Sequence, residues 1–118
     1  MIRPDFVPVL PRNFLQAALL QLIGARPGYG YELRDELTAM GVRQHDFGQL
    51  YRTLRAMEKD GLVLSCWENS KAGPSRRTYH VTDKGRAQLT VWVEGMAAGQ
   101  HIVERFLAHH HAEARESA

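Results

Sequence analysis

The amino-acid sequence predicts a mostly α-helical fold with one small β-hairpin: a winged helix-turn-helix followed by a long C-terminal dimerisation helix. Three observations support this prediction. The order of segments is helix, helix, helix, hairpin and helix, and the third segment, residues 46–60, has one apolar and one basic face. The last segment carries apolar residues at alternating three- and four-residue steps, a spacing typical of paired helices.

The composition indicates one small domain that contacts a polyanion. The chain has 118 residues and a net charge of +2, but residues 43–86 hold nine Lys and Arg against five Asp and Glu. The single cysteine, Cys66, excludes an intrachain disulfide and fits a reducing, cytoplasmic compartment. Prolines interrupt the apolar N-terminus and no apolar run reaches the length of a membrane span, so we expect neither a signal peptide nor a membrane partner.

The segments before the central helix are predicted to support it. Residues 1–11 contain three prolines and are expected to form an extended arm. Residues 12–25 are apolar nearly all round, which predicts a buried first helix that also meets a second subunit through Leu15 and Leu19. A second helix is expected over residues 31–40.

The central helix, residues 46–60, is the core of the prediction. At about 100° per residue its apolar side chains share one face and three cations share the opposite face. The apolar face comprises Leu50, Leu54 and Met57, and the basic face comprises Arg52, Arg55 and Lys59. Asp46 and Gln49 have the spacing of a capping box at its start, and glycines at 41 and 61 are expected to end the second and third helices.

The hairpin is predicted from two strand-like runs, residues 62–67 and 78–81, joined by a long turn-prone tip that is basic at its end. Thr82 is then expected to cap the last helix. The predicted domains are therefore residues 1–82, with the winged helix and its arm, and residues 83–111, the dimerisation helix. Residues 112–118 are expected to be a disordered tail.

Four short stretches resemble, in order and spacing, the PadR family of bacterial transcription regulators. They are residues 30–33 (Gly-Tyr-Glu-Leu), 48–51 (Gly-Gln-Leu-Tyr), 54–62 (Leu-Arg-Ala-Met-Glu-Lys-Asp-Gly-Leu) and 77–85 (Arg-Thr-Tyr-His-Val-Thr-Asp-Lys-Gly). The resemblance implies a homodimeric, repressor-like DNA-binding protein of the subgroup with a short C-terminal helix. One departure is Arg52, which stands where the family usually has proline and adds a charged donor.

The resemblance and the helix faces together indicate a set of residues that contact double-stranded DNA. A helix that enters the major groove needs its inner face on the core and long donors outside. Gln49 is placed to reach a base edge and Tyr51 to donate to a phosphate. The complete predicted set is Gln49, Tyr51, Arg52, Arg55 and Lys59 on the helix, and Lys71, Arg76 and Arg77 on or beside the hairpin tip.

The last helix is predicted to pair with a second copy of the chain. Its seam residues, with those of the first helix, give the predicted dimer contacts: Leu15, Leu19, Leu89, Trp92, Met96, Val103 and Phe106. Related regulators can bind flat apolar molecules between subunits, so Trp92 and Met96 are also candidates for an effector cavity, beside their simpler interpretation as packing residues.

Two other functions stay open at this point: a winged-helix module that binds a protein instead of reading DNA, and a sensor whose main partner is a small ligand. Cys66 is interpreted as a small buried strand residue. The three histidines at 109–111 point around a helix, so no metal is assigned, and no cofactor is expected. No catalytic arrangement of side chains is present in the sequence, so an enzyme is not expected.

Overall fold

The computed structural model describes residues 7–42, 47–70 and 73–117. The helices are α1 (Phe14–Ala25), α2 (Gly30–Met40), α3 (Phe47–Lys59) and α4 (Asp83–Ser117), and the strands are β1 (Gly28–Tyr29), β2 (Val63–Ser70) and β3 (Gly73–Val81). The predicted fold class is confirmed: a mostly helical chain with a small antiparallel sheet and a long last helix. Within the described residues, no helix combines the length and apolarity that crossing a bilayer requires.

The core lies between α1, α2, α3 and the sheet. Its fully or almost fully buried side chains come from every one of these elements: Leu19, Leu20, Ile23, Leu33, Leu37, Leu50, Leu54, Met57, Val63 and Tyr79. Burying one such aliphatic side chain contributes about 1.5–3 kcal/mol. Because all three predicted apolar residues of α3 are buried here, its rotation about its own axis is fixed and the opposite face is turned outward.

Two glycines end helices as the sequence predicted. Gly41 follows α2 with φ +104° and Gly61 follows α3 with φ +78°, in the left-handed region that other residues rarely adopt. The Gly61 N–H donates to the carbonyl of Glu58 at 3.0 Å, which closes the last turn. The predicted capping box at the start of α3 depends on Asp46, which lies outside the described residues.

The sheet has three strands in the order β1-β3-β2, all antiparallel. Strand β1 was not predicted, because two residues are too few to show a strand period in the sequence. The hairpin formed by β2 and β3, called the wing below, has longer strands than expected. The predicted long tip is therefore wrong: pairing continues through Trp67 with Arg77 and Glu68 with Arg76, and the Arg77 guanidinium packs on the Trp67 ring.

The start of α4 is tied to the end of α3. The Thr82 hydroxyl oxygen accepts a hydrogen bond from the Gly85 N–H at 3.0 Å, and the hydroxyl donates to the carbonyl of Gly61 at 2.6 Å. Thr82 is thus the predicted cap of the last helix, and it also joins two elements. Gly85 lies directly against the backbone carbonyl of Leu62, where no larger residue fits.

Helix α4 is longer than the sequence suggested. It continues to Ser117, so the predicted disordered tail is wrong for residues 112–117. Alanine and glutamate, which are good helix formers, occupy much of this stretch. The Nδ1 atom of His109 also lies 3.7 Å from the Oε1 atom of Glu113, one turn further along the helix. Leu89, near the start of α4, packs against the core, whereas residues 101–116 are all exposed.

Candidate nucleic-acid interface

The outer face of α3, meaning Arg52, Arg55 and Lys59, carries three exposed cations. Within the described part of the chain, none of the three forms an ion pair or a hydrogen bond through its side chain. The opposite side of the helix is anchored by three buried apolar residues. The three charges are therefore presented to solvent by a helix that cannot rotate them inward.

Two further predicted residues flank this face. Gln49 is exposed in the first turns of α3, and its backbone carbonyl accepts the Thr53 hydroxyl at 2.9 Å. Tyr51 is half-buried, and its ring lies against Gly30 at the start of α2. A Cβ at Gly30 would lie 2.6 Å from the Tyr51 hydroxyl oxygen, so only glycine admits the ring in this position. This contact fixes the spacing between α3 and the start of α2.

The predicted wing residues have different surroundings. Lys71 lies outside the described residues. Arg76 and Arg77 lie within strand β3 rather than at the tip, and neighbouring side chains on a strand point to opposite faces. Arg76 is exposed and its Nη1 donates to the Tyr31 hydroxyl oxygen at 2.8 Å.

Arg77 lies on the other face of the wing. Its guanidinium carbon is 5.1 Å from the ring centroid of Trp67, its cross-strand partner, which is 66% exposed. Its Nε is buried without a hydrogen-bond partner among the described residues, as is the hydroxyl of Tyr79. Burial raises the pKa of Tyr79 above its ordinary value, and the nearby Arg77 opposes this shift.

Sequence reasoning missed Trp67, Tyr29 and Tyr31 as members of this surface. Trp67 was given no role from the sequence, although alternation along β2 places it on the face opposite to that of Cys66. Cys66 itself is exposed, so its interpretation as a buried residue is wrong. Tyr31 belongs to the family-like stretch of residues 30–33, which was the available signal, and Tyr29 lies just outside it.

The predicted dimer contacts fall into three groups. Leu19 is fully buried in the core of its own chain and has no surface left for a partner, so its assignment as a dimer contact is wrong. Leu15, Leu89, Trp92 and Met96 are half-buried. The predicted contacts Val103 and Phe106 are exposed in the second half of α4, where they form a row with two residues that were not predicted, Ile102 and Leu107.

Two grooves run beside α4. One, of about 470 Å³, lies between α1, α3 and α4 and is lined by Arg52, Met57 and Trp92 among others. The other, of about 330 Å³, lies between α1 and α4 and is lined by Phe14 and Met96 among others. The two predicted effector residues therefore line different grooves in a single chain.

The order of helices and the wing define a winged helix-turn-helix protein, and comparison with known proteins agrees. Residues 19–91 match the PadR-like family of transcriptional regulators. A PadR-like transcriptional regulator of Bacillus cereus has a similar structure, with a TM-score of 0.73 and 32% identity over 80% of this chain and 92% of that one. A transcriptional regulator of Mycobacterium tuberculosis is 42% identical over 62 residues, which are 52% of this chain and 56% of that protein.

A third comparison is with Bacillus subtilis PadR, solved in complex with operator DNA. It has a TM-score of 0.61 and 20% identity, over 68% of this chain and 46% of that one, and at this identity the likeness shows the fold alone. From the family match and the Bacillus cereus structure, the chain belongs to the PadR-like family of transcriptional regulators. This is a family of regulators and not of enzymes.

Proposed function

We propose that this PadR-like regulator is a homodimeric repressor that binds specific DNA sequences in the cytoplasm through α3. The observation that carries the proposal is the outer face of α3: three exposed cations, without partners among the described residues, on a helix whose other face is locked in the core. A helix used in the major groove has this division of faces.

The roles of the α3 residues follow from their positions. Arg52, Arg55 and Lys59 lie on the side of α3 opposite its buried residues. Long cationic side chains in this position reach phosphates or guanine edges. Arg52 adds a charge at the place where proline is usual in the family. Gln49, in the first turns, is assigned to a base edge, and Tyr51 donates its hydroxyl to a phosphate while its ring stays against the protein.

The wing adds backbone contacts. Arg76 and Arg77, with Lys71 at the tip of the hairpin, are assigned to DNA phosphates or to the minor groove. Bacillus subtilis PadR, which shares the fold, was solved in complex with operator DNA, and this supports a DNA-binding role for the fold. Because phosphate contacts carry no sequence information, the wing is expected to set affinity and register more than specificity.

The dimer is proposed to form through α4, with residues 1–82 as the DNA-binding part and the helix from residue 83 as the dimerisation part. Phe106 is 67% exposed and Ile102 is 68% exposed in the single chain. A row of such side chains along one helix is an interaction surface, and a second α4 of the same sequence offers a matching row. Leu15, Leu89, Trp92 and Met96 are half-buried in the single chain and complete the proposed contact.

A small apolar effector that relieves repression is proposed as a secondary partner. Trp92 and Met96 line separate grooves in one chain, so a joint site for both needs the second subunit to close the space between the grooves. Trp92 provides the flat apolar surface that an aromatic ligand stacks on.

The experiment is selection of duplexes from a random DNA pool by the full chain. The proposal expects a palindromic sequence whose half-site centres lie about 34–36 Å apart, or a multiple of that distance. Absence of any enriched sequence, together with salt-insensitive binding to a protein, would instead favour a protein-interaction module. An enriched site without twofold symmetry would contradict the proposed dimer.

A further inference from the structure

Tyr29, Tyr31 and Arg76 form an exposed cluster where the start of α2 meets the wing, which we call the tyrosine–arginine clasp. The two rings are stacked, with centroids 5.9 Å apart and planes 13° from parallel. The guanidinium carbon of Arg76 lies 5.1 Å from the centroid of Tyr29 and 5.7 Å from that of Tyr31. Cation–π attraction to two rings holds the guanidinium in place before any ligand arrives.

The hydrogen bond in the clasp leaves two donors for a ligand. Arg76 Nη1 donates to the hydroxyl oxygen of Tyr31 at 2.8 Å. Because Tyr31 accepts this bond, its own proton is left for another acceptor, and the cation beside it makes the hydroxyl a stronger donor. Arginine has five N–H donors, so the guanidinium keeps others for the same ligand. One charged and one neutral donor side by side suit two oxygens of a phosphate.

Arg76 forms no ion pair with any described residue. Glu68 is its cross-strand partner, yet no ion pair joins them. The Glu68 carboxylate instead accepts the Tyr29 hydroxyl at 3.4 Å. Tyr31 is 44% exposed and Arg76 is exposed, so an anion approaching from solvent reaches both.

The clasp lies beside the point where α3 touches α2. Tyr51 of α3 packs on Gly30, and Gly30 is directly followed by Tyr31. A duplex lying on the outer face of α3 therefore brings its backbone past the start of α2. The clasp lies beside α3 and not on its outer face. Its donors therefore face the backbone of a duplex bound to α3 rather than the base edges in the groove, and the ligand that this position favours is a backbone phosphate.

We propose that the Tyr31 hydroxyl and the Arg76 guanidinium bind one DNA backbone phosphate together, with Tyr29 serving as the stacking support. This site rests on the proposed function, since its ligand is DNA. Tyr31 thereby becomes a DNA contact on α2, an element to which no DNA contact is otherwise assigned. The contact carries no sequence preference, because it touches the backbone alone.

The test compares four proteins, the wild type and the variants Tyr31→Phe, Arg76→Gln and the double variant, binding to the selected duplex and to a scrambled duplex over a range of salt. Tyr31→Phe removes only the hydroxyl and is expected to weaken binding about tenfold on both duplexes. For this variant, the slope of the logarithm of the binding constant against the logarithm of salt concentration stays unchanged, because no charge is lost. Arg76→Gln is expected to weaken binding and to reduce that slope by about 1.8 per dimer.

The double variant and one control complete the test. In the Arg76→Gln background, Tyr31→Phe is expected to change affinity less than about twofold, since both groups serve one phosphate. Thr90→Ala is the control: it removes a hydroxyl from α4 that donates only to the Arg86 carbonyl at 3.2 Å, away from the clasp, and it should bind DNA as the wild type does.

Two outcomes overturn the clasp and leave the proposed function standing. If the wild type binds the selected duplex and Tyr31→Phe binds it equally well, the phosphate site is wrong and the regulator stands. A loss confined to the selected duplex would indicate a base contact and also refute the site. If the wild-type protein binds no duplex at all, both the clasp and the proposed function fall.

Discussion

Replacing Gly85 by alanine is expected to destabilise the fold, although alanine is the better helix former. A Cβ at this position would lie 2.9 Å from Val81 Cγ1 and still closer to the Leu62 carbonyl oxygen. The carbonyl belongs to the backbone and has no rotamer to change, so the first turn of α4 must move away from the end of α3. That movement also stretches the hydrogen bond from the Gly85 N–H to Thr82.

The size of the effect follows from three contributions. Overpacking costs about 1–3 kcal/mol, and weakening of the Thr82 cap adds about 1 kcal/mol. Helix propensity returns about 1 kcal/mol on replacing glycine by alanine. The net loss in free energy of unfolding is therefore about 1–3 kcal/mol.

Urea unfolding followed by circular dichroism measures this loss, at one protein concentration because a dimer's stability depends on concentration. Gly24→Ala is the matched control, since Gly24 is also helical and its nearest neighbour is Val81 Cγ2 at an ordinary 3.8 Å. It should gain about 0.5–1 kcal/mol. If Gly85→Ala proved as stable as the wild type, the close packing of α4 on the end of α3 would be refuted.

Two further substitutions test the interior. Thr82→Ala should lower the free energy of unfolding by about 1 kcal/mol through loss of the cap, whereas Thr90→Ala, whose hydroxyl only donates to the carbonyl one turn back, should leave it nearly unchanged; equal effects would contradict the capping role. Tyr79→Phe should preserve stability or raise it by about 1 kcal/mol, because the buried hydroxyl makes no hydrogen bond of ordinary geometry with a described residue, although Arg77 lies close to it. Burial raises the pKa of Tyr79 above 10.0 in the folded protein. The folded state therefore keeps its full free energy of unfolding below that pH, and this free energy falls as pH rises through the raised pKa, because the folded state resists ionisation of the buried hydroxyl. Between about pH 8 and about pH 11, the urea midpoint should therefore fall further for the wild type than for Tyr79→Phe. An equal fall in the two proteins would refute the buried, unpaired hydroxyl.

The strong periodic signals in the sequence predicted the fold well. The apolar stripe of α3 and the glycines at 41 and 61 give patterns that depend only on local geometry, and the structure agrees with each. The short strand β1 and the full length of the wing depend on pairing with distant residues, and no local pattern encodes that. Leu19 shows the same limit, because an apolar helix does not reveal which of its sides meets its own core.

The candidate site was predictable in part. The charges on α3 follow from its period, but their lack of partners depends on the folding of the rest of the chain. The tyrosine–arginine clasp joins Tyr31 to Arg76 across 45 positions of sequence, and only the sheet brings them together. Such a contact has no signal in a single sequence.

The measurement that tests the DNA-binding role of α3 most directly is the salt dependence of binding to the selected duplex for the wild type and Arg55→Ala. Arg86→Ala serves as the control, since it removes an equal charge from α4 that is paired with Asp83 at 3.0 Å. We predict weaker binding and a log–log slope shallower by about 1.8 per dimer for Arg55→Ala, with the control unchanged. Equal slopes and affinities for a folded Arg55→Ala protein would contradict the role of the outer face of α3.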